Sequence, residues 1–197
     1  MPRLATISAL AACGLFALTA CGGTSDSGGA GGDKDEVTAK IADPDGKRVG
    51  TVEIDEDDGA VQISVEAKGL EPGYHGFHVH TTGACEADSA APDDPSKTGD
   101  FLSAGGHLNP DESEHGNHLG DLPTLLVTKD GTAHLEFTGP FTLAELQDED
   151  GSAFVIHADR DNYANVPDRY APKGPDEDTT KTGDAGDRIA CGAIEGG

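Results

Sequence analysis

Gly76-Phe77-His78-Val79-His80 alternates apolar residues with histidines, which is the pattern of an extended strand. Successive side chains on a strand point to opposite faces, so His78 and His80 project from one face while Val79 turns to the other. Two imidazoles on one face make half a metal site. The chain has eight histidines, and six of them (His78, His80, His107, His115, His118 and His157) fall in positions that complete such a site.

The segments flanking this stretch read as strands as well. Residues 37–42, 48–54 and 61–67 alternate apolar and polar positions, with Asp45-Gly46 and Asp58-Gly59 between them as hairpin turns. Residues 124–128 and 132–138 are joined by Lys129-Asp130-Gly131, and 153–158 and 189–194 supply two further strands. One or two turns of helix are expected at 142–147 and no long helix anywhere. Many short strands with Asp-Gly turns define an all-β sandwich or flattened barrel. Two segments, 81–123 and 159–188, break the rhythm. Loops of that length without secondary structure are uncommon in compact domains and are usually functional or disordered.

Acidic residues outnumber basic ones 37 to 13, for a formal charge of −24. That excludes nucleic acid as a natural partner and makes anionic membrane surfaces poor ones. Acidic runs such as Asp55-Glu56-Asp57-Asp58 and Asp176-Glu177-Asp178 read as solvated surface. Residues 1–20 carry one basic residue, Arg3, then an apolar run and a small-residue exit, the form of a secretory signal too short for a membrane span. Leu18-Thr19-Ala20-Cys21 resembles a bacterial lipobox, which predicts lipidation of Cys21 over an ordinary signal with an incidental cysteine. From Gly22 to about Glu36 the chain is glycine, serine, threonine and charges with almost nothing apolar, so 21–35 read as the lipidated cysteine and a flexible tether. The folded domain is expected over 36–197, and about 160 residues suffice for one core. The expected location is outside the cytoplasm, held to the cell membrane by the lipid.

Cys13 lies in the signal and Cys21 is the lipid site, which leaves Cys85 and Cys191. An even pair in an exported chain reads as a disulfide; two thiols serving a metal are the alternative, and neither cysteine has a CxxC partner.

The remaining histidines cluster by motif. His107 sits in Gly105-Gly106-His107-Leu108-Asn109-Pro110, His115, His118 and Asp121 in Glu114-His115-Gly116-Asn117-His118-Leu119-Gly120-Asp121-Leu122-Pro123, and His157 in Phe154-Val155-Ile156-His157-Ala158. Six histidines and an aspartate exceed the needs of one four-coordinate ion. Two ions sharing a ligand use all seven. His134 alternates with apolar neighbours and reads as a solvent-facing strand residue without a role.

With Gly186-Asp187-Arg188-Ile189-Ala190-Cys191-Gly192 added, these motifs, in this order from residue 37 onward, resemble the copper/zinc superoxide dismutase family in its bacterial exported form. The resemblance implies an eight-stranded antiparallel Greek-key barrel or sandwich with two long functional loops. It implies copper held by His78, His80, His107 and His157, with His107 shared as an imidazolate. An all-imidazole tetragonal set suits Cu(II). Zinc is implied at His107, His115, His118 and Asp121. Asp161 matches the carboxylate that links the two sites through ligand rings, and His75 a histidine that braces backbone without binding metal. Arg188 and His107 are implied to be catalytic, the one attracting superoxide against the acidic bulk field and the other passing a proton. Arg160 and Lys181 are candidates for further steering.

The chain departs from the family at one place. Only Gly116 and Asn117 separate His115 from His118, where relatives carry several more residues. Either a tight Gly-Asn turn brings both imidazoles round one ion, or one ligand gives way to water. A different class of function, a surface lipoprotein that binds or buffers copper and zinc without turnover, explains the ligands and the export signal equally well. It does not explain Arg188 set beside a disulfide cysteine. Oligomeric state is not legible, since no strand shows an apolar outer face.

Overall fold

The computed structural model describes residues 37–194; the signal, the Cys21 lipidation site and the tether lie outside the described residues. Antiparallel strands dominate it. Three long ones form the meander that the alternation predicts: β1 (Val37–Ala42), β2 (Arg48–Asp57) and β3 (Ala60–Lys68). Asp58 (φ 52°) and Gly59 (φ 78°) are the two loop residues between β2 and β3, the paired left-handed geometry that matches strand twist and that Asp-Gly adopts readily.

Further along come β4 (Gly73–His75), β5 (Phe77–His80), β6 (Ser89–Ala90), β7 (Thr98–Gly99), β8 (Leu125–Val127), β9 (Thr132–Thr138), β10 (Ser152–His157) and β11 (Arg188–Ile194). Seven of these eleven strands, β1 to β3 among them, form one sheet in the order β5-β10-β11-β1-β2-β3-β9, while β4 pairs with β8. Because β4 leads into β5 and β8 leads into β9, that small ladder links the two ends of the large sheet.

All eight expected strands are present, and the structure adds to them in three places. Ahead of the strand expected at 76–80 lies β4, and Gly76 falls between β4 and β5, its N–H donating to Asp159 O at 2.7 Å and its carbonyl accepting from His157 N at 2.8 Å. A Cβ at Gly76 would sit 2.6 Å from Ala185 Cβ, so only glycine allows that approach. The loop 81–123 holds the β6–β7 hairpin and a 3-10 turn at Leu102–Ala104. The loop 159–188 holds a short helix, Glu177–Thr182, capped by the Asp176 carboxylate on Thr179 N and ended by Gly183 at φ 64°. The other short helix, α1 (Leu143–Leu146), lies within the expected 142–147 and opens with a capping box between Thr142 and Glu145. The Glu177–Thr182 helix is α2.

Most strands bury one face, as β3 does with Val61, Ile63 and Val65 inward. By contrast β5 and β10 are buried at every position. Their core faces carry Phe77, Val79, Phe154 and Ile156, with the Phe77 and Phe154 rings stacked at 5.6 Å. Each such side chain contributes about 1.5–3 kcal/mol by leaving water. Their opposite faces carry His78, His80 and His157, roofed by the two long loops. Backbone bonds fasten the first loop to the free edge of β5: Leu108 N to Val79 O (2.8 Å), Val79 N to Gly120 O (2.9 Å) and Thr81 N to Gly106 O (3.0 Å).

Candidate metal centre

β5 and β10 pair with His80 opposite Ala153 and His78 opposite Val155, which sets His78, His80 and His157 on one face. Strand-like bridges bring His107 opposite His80 and Asp121 opposite His78. Donor atoms of His78, His80, His107 and His157 thereby lie within 4.8 Å of one another.

Each ring is turned by its other nitrogen. His80 Nδ1–H donates to Gly105 O at 2.9 Å and His157 Nδ1–H to Gly186 O at 3.1 Å, so the two Nε2 lone pairs face each other at 3.4 Å. His78 is the reverse: its Nε2–H donates to Asp161 Oδ2 at 2.7 Å, and its buried Nδ1 has no hydrogen-bond partner. A buried, unpartnered imidazole nitrogen aimed at three others is what a cation site requires.

The second group is equally tight. Asp121 Oδ1 lies 3.0, 3.1 and 3.2 Å from Nδ1 of His107, His115 and His118, and the His107 and His118 Nδ1 atoms are 3.3 Å apart. An ion about 2.0–2.1 Å from four tetrahedral donors sets them about 3.3 Å apart, so these atoms fit a zinc-sized cage. Asp121 Oδ2 is engaged by Gly116 N (2.6 Å) and His118 N (3.0 Å), which leaves Oδ1 for the cage. The short 115–118 spacing closes because Gly116 takes φ 89°. Of the two outcomes left open by the sequence, the geometry is that of the tight turn.

His107 belongs to both groups, and Asp161 spans them, with Oδ2 on His78 and Oδ1 2.8 Å from His115 Nε2. Gly183 makes room for that bridge: a Cβ there would collide with Asp161 Oδ1 and His115 Nε2. His75 stands outside both groups, its nitrogens on His157 O (2.7 Å) and Glu71 O (2.9 Å). His134 is an exposed strand residue paired with Glu66.

Burial drives His80 and His157 well below the ordinary imidazole range, and the neighbouring histidines and Arg188 add to the effect. Burial likewise lowers His78 and brings His107 to about 3. The four rings of the first group are therefore neutral near pH 7, the form that binds metal. Burial also works against charge on His115, but the Asp121 and Asp161 carboxylates outweigh it and raise that ring to about 9. Burial would raise Asp121 and Asp161, yet hydrogen bonds from His107, His115 and His78 hold both far below the usual carboxylate range.

These shifts set the pH dependence of the metal-free protein. Histidines with lowered pKa values cost stability as pH falls from 6.5 toward about 3, because the unfolded chain protonates first. The raised His115 contributes stability below about 6.5 that is lost as pH rises through about 9. The depressed aspartates add a further loss on acidification. The expected result is a thermal midpoint highest near pH 6.5 and falling on both sides, more steeply in acid. A midpoint that climbs on acidification toward pH 4 would contradict it.

Arg188 lies opposite His157, where a bulge shifts the β10–β11 register. Its Nη1 donates to Phe101 O and its Nη2 to Gly105 O, both at 2.6 Å. Gly105 O thus holds both Arg188 and His80. Burial lowers the guanidinium to about 10, so it keeps its charge at pH 7. Arg188, His80, His107 and His157 line an open cavity of about 530 Å³, with Lys181, Asp178 and Asp184 at its rim. Lys181 also pairs with Glu177 at 2.6 Å. Arg160 is placed elsewhere, over the Tyr74 ring.

Cys85 and Cys191 are disulfide-bonded with Cα atoms 5.6 Å apart, which settles the choice against thiols serving a metal. The bond joins the loop carrying Gly105 to the strand carrying Arg188. Sequence reasoning missed Gly105, whose carbonyl does the work and leaves no side-chain signal, and Tyr163, which appears in no motif.

An antiparallel β fold with two histidine-built centres sharing one imidazole defines a two-metal protein. The copper/zinc superoxide dismutase family profile matches residues 48–194, and the chain belongs to that family. A superoxide dismutase (Cu-Zn) of Mycolicibacterium paratuberculosis is 42% identical over 170 residues, covering 82% of this chain and 74% of its own. The copper/zinc superoxide dismutase from Brucella abortus has a similar structure, with TM-score 0.63 and 34% identity, covering 82% of this chain and 100% of that one. A double mutant of a SOD-like protein from Bacillus subtilis gives TM-score 0.62 at 36% identity, over 81% of this chain and 97% of that one. Copper and zinc are the metals of this family, and the two donor groups fit them.

Proposed function

We propose that this protein dismutates superoxide to dioxygen and hydrogen peroxide, outside the cytoplasm and lipid-anchored through Cys21. The observation that carries the reading is the convergence of four neutral imidazoles, with His78 Nδ1 buried and unpartnered, beside a charged Arg188 on one open cavity. His78, His80, His107 and His157 would hold copper; His107, His115, His118 and Asp121 would hold zinc. Bound copper supplies one-electron chemistry, in which one superoxide is oxidised to dioxygen and a second is reduced, with two protons, to hydrogen peroxide.

The chain's own residues do the rest. Arg188, fixed by two carbonyls, attracts the anion and orients it beside the imidazoles. His107 keeps Nδ1 toward Asp121, so Nε2 is the atom that can take a proton and hand it on. Asp161 fixes the tautomers of His78 and His115 together. The signal and lipobox support export and anchoring.

A charge of −24 repels superoxide, so local positive charge has to carry the attraction. Focused fields raise on-rates about 10- to 1000-fold and weaken with salt. Arg188→Ala is therefore expected to lower the rate at least about tenfold at unchanged copper content. An unaltered rate in a fully metallated variant would remove that role; the non-catalytic metal-buffering reading is tested separately, by whether the copper-loaded native protein turns superoxide over at all.

A further inference from the structure

Tyr163 follows Asp161 by two residues, is partly exposed, and is bonded to both sides of the ligand loop. Its hydroxyl accepts from Thr124 N at 2.8 Å, shares a hydrogen bond with Thr124 Oγ1 at 2.7 Å, and donates to Leu122 O at 3.0 Å. Those three contacts seize the chain just after Asp121. Its carbonyl lies against Gly116, where a Cβ would come within 2.7 Å of it, just before His118. Its N–H donates at 2.7 Å to Asp161 Oδ1, the same oxygen that meets His115 Nε2. The ring lies nearly parallel to that of His115, at 13° with centroids 6.4 Å apart.

Such a set of contacts has a conformational cost. Tyr163 (φ 54°) and Ala164 (φ 53°) are consecutive residues in the left-handed region, which side chains with a Cβ disfavour. Backbone of this kind persists where its surroundings hold it, and functional sites are where it concentrates. Here it turns the N–H, carbonyl and ring of one residue toward the same ligand loop.

We propose that Tyr163 is a positioning residue: it clamps the loop carrying His115, His118 and Asp121 against the loop carrying Asp161, and so sets the cage those residues form with His107. This rests on the reading of that cage as a zinc site. The 115–118 connection is short and has no slack of its own to adjust three donors to one ion. Tyr163 reaches it from outside, before His118 and after Asp121, and it reaches His115 through Asp161. The hydroxyl is the part a conservative substitution can remove alone.

The test uses protein carrying one equivalent of Cu(I), which is colourless, titrated with Co(II) as the probe of the second cage. The native chain is expected to take one cobalt with the intense visible bands of tetrahedral coordination. Tyr163→Phe keeps ring, backbone and fold but lacks the hydroxyl. Its cobalt affinity is expected to fall roughly 10- to 100-fold with weakened bands, while copper content is unchanged. Thr124→Val, which removes one of the three hydroxyl contacts, is expected to show a smaller loss. Cobalt affinity and bands in Tyr163→Phe equal to the native ones would overturn the proposal, and so would a loss confined to the thermal midpoint of the metal-free protein. Native protein that takes no tetrahedral cobalt is a separate result; it overturns the zinc reading and the clamp with it.

Discussion

His107→Ala is expected to lower superoxide dismutation at least about 100-fold and to empty the second cage. Partners one shell away from a metal already change affinity or activity about 10- to 100-fold, and His107 contributes to both donor groups. Its removal leaves three imidazoles in one group and two imidazoles with a carboxylate in the other. Its backbone stays fixed by Thr81 N to Gly106 O and Leu108 N to Val79 O, so the loop itself should hold. Metal analysis of the purified variant alongside its rate checks the result. Full zinc content, or an undiminished rate, would show that the two groups do not share this ring.

The Cys85→Ser, Cys191→Ser double variant carries the second large expected effect. The bond closes a separation of 106 residues, and in the chain-entropy model its loss costs about 4–5 kcal/mol. It sits in a small buried cluster with Phe101, Ala104, Ala153 and Val155. Because Phe101 O and Gly105 O hold Arg188, loosening that cluster also frees the guanidinium and the carbonyl behind His80. Denaturant unfolding of the metal-free protein is expected to show the full loss. A loss below about 1 kcal/mol would mean that the unfolded chain gains little freedom when the bond is absent.

The framework of this protein was legible in the sequence because its strands alternate and its turns carry Asp-Gly. β3 buries every second residue from Val61 to Ala67, β2 buries Val52 and Ile54 against it, and the two meet at Asp58-Gly59. The donor residues were legible for a different reason, since ligands come from few residue types and here they gather in short motifs on β5, on β10 and in the 81–123 loop. What escaped has other causes. β4, just before the expected strand, is three residues long and shows no alternation, and the glycine between β4 and β5 is required by a contact with Ala185 far along the chain. α2 has one buried residue, Thr179, so it has no apolar stripe; only its caps, Asp176 and Gly183, mark it. Arg160 and Lys181 read alike as basic residues in one loop, but one covers Tyr74 and the other reaches the cavity rim. Tyr163 had no signal, because its role comes from partners in a different loop.

The most direct test of the account is stopped-flow measurement of superoxide dismutation by the copper-loaded protein at two ionic strengths. A rate near the diffusion limit that falls as salt rises is expected if Arg188 attracts the anion locally, as proposed, against a surface of net charge −24. A negligible rate at full copper occupancy would contradict the account and leave a protein that holds copper without turning it over.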